Sequence, residues 1–136
     1  MITSLYPVLI CDDVAATASF FRDCFDLEPT FESDWYVSLR IGDQELAVLA
    51  AGHETLPAAH RTGVAGPVLV NIETDDVDEL YLRNVERAGR QCVQPLRSEE
   101  FGQRHFILVA PGGVLVDVIQ PIAFSGAFAE VAAVPV

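Results

Sequence analysis

Tyr6-Pro7-Val8-Leu9-Ile10-Cys11-Asp12-Asp13-Val14-Ala15 and Leu69-Val70-Asn71-Ile72-Glu73-Thr74-Asp75-Asp76-Val77-Asp78 read as one pattern written twice, 63 positions apart. In both, a short apolar run leads into Asp-Asp-Val and a helical periodicity follows. Asp13 and Asp76 stand where N-caps belong, because a carboxylate there accepts from the orphan amides of the first turn. Val14, Ala18, Phe21 and Phe25 then recur at helical spacing, as do Val77, Leu80, Tyr81, Val85 and Ala88. Pro29 lies just beyond the first helix, and Gly89 is placed to stop the second.

Strand signals follow each helix. Tyr36–Ile41 and Glu45–Ala50 flank Gly42-Asp43-Gln44, while Arg104–Ala110 and Val114–Gln120 flank Pro111-Gly112-Gly113; both predict hairpins. Weaker strands near Thr30–Glu32 and Gln91–Gln94 complete a β-α-β-β-β order in each half. The expected organisation is a single domain over residues 1–122, with a first module at 1–50, a linker at 51–66 rich in Gly, Ala and Pro, and a second module at 67–122. Residues 123–136 form an apolar tail, expected as a short helix or strand over a dimer seam.

Alternation assigns the faces. Val70 and Ile72, and Val114, Val116 and Val118, form all-apolar faces expected to pack under the helices. The opposite, mixed faces are expected to line a partly wet concavity made of Tyr6, Val8, Glu45, Ala47, Leu69, Asn71, Leu115 and Asp117.

Composition narrows the function. Twenty acids against eight bases give a net charge of −12, which argues against nucleic acid, whose binding relies on Lys and Arg at phosphates. The same charge suits a cationic ligand, or simply a soluble surface. No apolar run reaches membrane-spanning length, and Met1-Ile2-Thr3-Ser4 lacks a basic leader start, so a soluble cytoplasmic protein is expected. Cys11, Cys24 and Cys92 have neither zinc-ligand spacing nor a disulfide framework and are expected to be buried thiols.

The chain resembles the glyoxalase/bleomycin resistance protein/dioxygenase (vicinal oxygen chelate) superfamily, and within it the bleomycin-resistance branch. Pro7–Phe21, Thr74–Leu80 and Phe101–Gly113, with the spacing between them, carry the likeness. It implies an α+β fold of two βαβββ modules forming a U-shaped, mixed and antiparallel sheet around a pocket, in a homodimer. In metal-dependent relatives, four inward side chains, mostly His and Glu, hold a divalent ion. Those positions map here to Tyr6, Ala47, Leu69 and Asp117, and a single carboxylate with an alanine, a leucine and a neutral tyrosine is not a donor set. No metal ligand and no cofactor are therefore expected. The resemblance then implies the antibiotic-sequestering branch, which binds ligand without metal.

Asp117 is a candidate anchor for an ammonium or guanidinium, against a carboxylate satisfied by backbone or by Arg104. By the resemblance, Phe101 stands where drug-binding relatives carry Trp, able to stack on a planar group, against ordinary core packing. Trp35 follows a polar turn and could cover a pocket mouth, and Asn71 could donate into the cup. His105 is the default general base of any chemistry, and a one-residue uncertainty in the hairpin decides whether His105 or Arg104 faces the cup. The expected ligand-binding set is Tyr6, Trp35, Glu45, Asn71, Phe101, Arg104, His105 and Asp117. The expected function is metal-independent binding of a small aromatic or cationic molecule, such as an antibiotic or toxin. The alternative is a metal-dependent lyase, isomerase or dioxygenase with an atypical site, in which His105 and Asp117 would be catalytic.

Overall fold

The computed structural model describes residues 1–61 and 68–129. The chain divides into two compact units, Met1–Val68 with Ala110–Val114, and Leu69–Val109 with Leu115–Val136. Each contains one four-stranded sheet.

In the first unit, β1 (Val8–Cys11) enters α1 (Val14–Phe25), followed by β2 (Glu28–Glu32), β3 (Tyr36–Ile41) and β4 (Gln44–Ala50). Asp13 caps α1 as the sequence predicts: its carboxylate accepts from the amide of Ala16 at 2.9 Å. Asp26 ends the helix in the left-handed conformation and donates its amide to the Arg22 carbonyl at 2.9 Å. Val14, Thr17, Ala18, Phe20, Phe21, Cys24 and Phe25 make the buried side of α1, which packs on β3 and β4. Phe20 and Phe21 meet edge to face with centroids 5.2 Å apart. The spatial order is β1-β4-β3-β2, with β1 parallel to β4 and the other pairs antiparallel.

The second unit repeats this order: β5 (Leu69–Glu73), α2 (Val77–Tyr81), β6 (Cys92–Glu99), β7 (Gln103–Val109) and β8 (Leu115–Pro121), arranged β5-β8-β7-β6. Asp76 caps α2 by accepting from the amide of Glu79 at 3.2 Å, and the Gln120 side chain accepts from the amide of Val77 at 3.0 Å. The helix continues as a wider π-type turn over Leu82–Arg87 before Gly89, at φ 64°, ends it. Tyr81 meets Phe106 edge to face at 5.1 Å, and Phe106 stands beside the fully buried Val118 in the ladder.

The modules echo at the level of register. Val8 stands opposite Ala47 in the first sheet, and Asn71 stands opposite Asp117 in the second. Several boundaries differ from expectation. Pro29 lies inside β2, where a register shift between Pro29 and Phe31 absorbs its missing donor. The β3–β4 turn holds only Gly42 and Asp43, with Gly42 at φ 54°, and Ile41 pairs with Gln44. β6 runs to Glu99 rather than Gln94, with irregularities between Cys92 and Gln94 and between Gln94 and Arg97. The linker contributes a 3-10 turn at Ala58–His60; its residues 62–67 lie outside the described residues, as do 130–136 of the tail.

The described part of the tail folds onto the β6–β7 turn of its own unit. Ile122 donates to the Gly102 carbonyl at 2.8 Å, and Ser125 to the Glu100 carbonyl at 2.9 Å. Gly102, at φ 88°, must be glycine for a second reason: a Cβ there would collide with the Phe124 ring. Cys11 and Cys24 are buried and Cys92 is half-buried. Burial raises the thiol pKa of Cys11 and of Cys92, which disfavours the reactive thiolate. No helix among the described residues is long and apolar enough to cross a membrane.

Candidate functional site

Residues paired across a ladder share a face of the sheet, so register assigns every side chain to the helix side or the open side. In the second unit, Asn71, Ile107 and Asp117 share the open side with Leu69, Leu115, Glu73, His105 and Ile119. Arg97 pairs with His105 and Glu99 with Gln103, which brings both β6 residues to that side. Arg104 has the opposite parity.

By register, then, His105 is on the open side of its sheet and Arg104 on the helix side. His105 Nδ1 lies 2.7 Å from Asp117 Oδ1, with both residues less than a tenth exposed. An ionised carboxylate only accepts, so Nδ1 carries a proton, and in the neutral imidazole the lone pair is then on Nε2. That Nε2 is buried and makes no hydrogen bond; its nearest carboxylate oxygen, Glu99 Oε1, is 3.9 Å away. The same Glu99 oxygen accepts from Arg97 Nε. Asp117, expected as a cation anchor or as a carboxylate satisfied by backbone or by Arg104, is instead hydrogen-bonded to His105. Arg104 lies on the helix side and grips Asp78 through two hydrogen bonds, 2.8 and 3.1 Å long. This ion pair lowers the Asp78 carboxyl and raises the Arg104 guanidinium, and Arg104 is not part of the open face.

Phe101 is 40% exposed, with its ring edge-on to His105 at 6.4 Å and to Phe128 at 6.0 Å. The tail thus supplies an aromatic neighbour to this site. Asn71 is exposed on the same face. On this mixed face Leu69, Asn71, Glu73 and Leu115 are exposed, whereas Asp117 and Ile119 are buried.

The open side of the first sheet has different chemistry. Tyr36, Ser38 and Arg40 on β3 stand opposite Leu49, Ala47 and Glu45 on β4, and Phe31 on β2 pairs with Ser38. Glu45 accepts from the Ser38 hydroxyl, although Arg40 is its partner in the ladder. Phe31 lies 6.0 Å from Tyr36, and Tyr36 lies 5.7 Å from Trp35. Trp35 stacks flat on His53, with centroids 4.0 Å apart and planes 6° from parallel. The Tyr36 phenol is raised by burial first, then by its neighbours Tyr6 and Glu45. Tyr6 is 43% and Phe31 51% exposed, so the cluster offers aromatic surface to solvent. Phe31, His53, Arg97 and Glu99 were not singled out by the sequence reading. Phe31 carried a usable signal, lying in a weak strand, whereas the β6 irregularities hid Arg97 and Glu99.

The positions that hold metal in related proteins do not fit a divalent ion here. Ala47 and Leu69 offer no donor, and Asp117 is engaged by His105. Among the described residues, no group of three or more His, Cys, Asp or Glu side chains could hold a metal. A groove at Glu73, Thr74, Asp75, Gln120 and Pro121 has its polar groups partly spent on capping α2, through Gln120 and Thr74.

No curated protein matches the sequence. Solved structures match widely. A lactoylglutathione lyase from Agrobacterium tumefaciens is 23% identical, with a TM-score of 0.71 over 87% of this chain and 92% of its own. A protein from the mobile metagenome of V. Pseudocholerae is 25% identical, with a TM-score of 0.68 over 88% and 95%. A glyoxalase/bleomycin resistance protein/dioxygenase family enzyme from Burkholderia phytofirmans PsJN is 18% identical, with a TM-score of 0.74 over 86% and 97%. The family profile described as Glyoxalase/Bleomycin resistance protein/Dioxygenase superfamily matches residues 4–118. With the two βαβββ modules, their matching registers and this match over most of its length, the chain belongs to the glyoxalase/bleomycin resistance protein/dioxygenase superfamily.

Proposed function

We propose that this protein binds a small planar aromatic molecule, preferentially a cationic one, without a metal ion, and that it does so as a homodimer in the cytoplasm. The observation that carries the reading is the half-exposed aromatic cluster of Tyr6, Phe31, Trp35 and Tyr36 beside the Glu45 carboxylate. Aromatic faces attract planar rings and cations, and a nearby carboxylate favours positive charge further. The net charge of −12 raises the local concentration of such a ligand. Sequestration of an antibiotic or toxin is the most concrete form, because it requires affinity and no chemistry.

Trp35 is the sole tryptophan and lies in the cluster, so its fluorescence reports binding directly. Titration with an acridinium dye, a neutral anthracene alcohol and an anthracene sulfonate should give saturable quenching, strongest for the cation. Absence of saturable quenching by all three compounds would sink the proposal. One observation favours the alternative of an enzyme with an atypical site: the Asp117–His105 pair has the form of an oriented base. Catalysed turnover of any compound bound by the wild type, abolished in Asp117→Ala while binding persists, would support it.

A further inference from the structure

We infer that the second sheet carries a separate binding site for a compact cation with N–H donors, a primary ammonium or an amidinium, formed by His105 Nε2 and Glu99 Oε1. A buried imidazole nitrogen left without a partner forfeits its hydration with nothing in return, so such an atom calls for a partner. Nothing in the described residues supplies one: Asp117 occupies the other nitrogen and Glu99 stops 3.9 Å short. That separation is too long for a hydrogen bond between the two groups. It suits a nitrogen donor placed about 2.9 Å from each, since both atoms are then acceptors at ordinary distance.

The chemistry of the two acceptors selects the ligand. With its proton held on Nδ1 by Asp117, Nε2 can only accept, which turns away carbonyls and carboxylates. Glu99 adds a negative charge, so an N–H cation satisfies both and an anion neither. Arg97 holds Glu99 in place through Oε1 and offsets its charge, and the second lone pair of that same oxygen remains for the ligand. A quaternary ammonium has no N–H and cannot use Nε2. The Phe101 ring, 40% exposed and 6.4 Å from the His105 ring, is the solvent-facing aromatic neighbour of this site.

The test is a long-range proton–nitrogen correlation spectrum of the full chain with isotope-labelled histidine, at neutral pH. Of the three histidines, His105 is identified by exclusion, using His53→Gln and His60→Gln in the linker, so that no core variant is needed. The free protein should show Nδ1 protonated and Nε2 bare. Benzylammonium should shift the His105 Nε2 signal saturably, benzyltrimethylammonium should leave it unmoved, and Glu99→Gln should weaken the response roughly tenfold, the worth of a charge-assisted hydrogen bond. The inference is overturned by a protonated Nε2 in the free protein, by equal responses to the two ammonium compounds, or by an unchanged response in Glu99→Gln. The readout is independent of the Trp35 quenching, so this site and the aromatic cluster stand or fall separately.

Discussion

At matching places in the ladders, the first unit carries Tyr36, Ala47 and Val8 where the second carries His105, Asp117 and Asn71. The backbones agree in strand order and register, yet one open face is aromatic and the other is a buried ionisable pair. The two helix sides, by contrast, remain alike: both bury a mainly apolar set around a fully buried aromatic residue, Phe21 in one and Phe106 in the other. The duplication thus preserves what makes the fold and varies what meets a ligand. Packing constrains the helix side in shape as well as polarity, whereas the open side tolerates any side chain whose polar atoms find a partner.

The largest effects should come from the conserved side of this comparison. Phe21→Ala and Phe106→Ala each remove a fully buried ring and should each cost about 3–5 kcal/mol in urea unfolding. A loss below about 1 kcal/mol at only one of them would break the claimed equivalence of the two cores.

Next comes the pair that separates the two faces. Asp117→Ala leaves the buried Nδ1–H of His105 unpaired and should cost about 1–3 kcal/mol. The double variant with His105→Ala should fall short of the sum of the singles by about 0.5–3 kcal/mol, the signature of direct coupling. Strict additivity would mean that the two side chains do not interact.

A smaller effect belongs to Glu45. Glu45→Gln should weaken the acridinium dye roughly tenfold and leave the neutral anthracene alcohol nearly unchanged, as expected for loss of one charge contact. Equal weakening of both would assign Glu45 a structural role through Ser38.

The smallest effect concerns the Arg104–Asp78 pair. The Asp78 carboxyl is lowered by its hydrogen bonds to Arg104, so the pair's contribution is present above the ordinary carboxylate value and is lost as pH falls through the lowered one. Because Asp78 is largely exposed, Arg104→Ala should cost less than about 1 kcal/mol near neutrality, and less again in high salt. A larger, salt-insensitive loss would contradict this account of Arg104 as a surface partner of α2.

How much of this was legible in the sequence follows from the same contrast. The repeated Asp-Asp-Val gave both caps, and helical spacing gave the buried side of α1, because each is a local signal repeated within a few residues. The β6 strand was cut short because its irregularities break the two-residue alternation on which strand reading depends. The same irregularities remove any pattern that would mark Arg97 and Glu99 as neighbours of His105. Parity alone could not separate His105 from Arg104 while the hairpin's length was open by one residue; the pairing of Ile107 with Asp117 decides it. The stacking of His53 on Trp35 joins residues 18 positions apart through a loop, and no periodic pattern announces it.

The central claim is ligand binding that needs no metal, and calorimetry tests it most directly. The protein would be titrated with the acridinium dye after exhaustive dialysis against a chelator, and again after addition of Zn²⁺, Ni²⁺, Mn²⁺ or Fe²⁺. The account predicts the same saturable binding in every case, with no tight uptake of any ion at one per chain. Binding that disappears on chelation and returns with one of these ions would contradict it and make the metal-dependent enzyme the better reading.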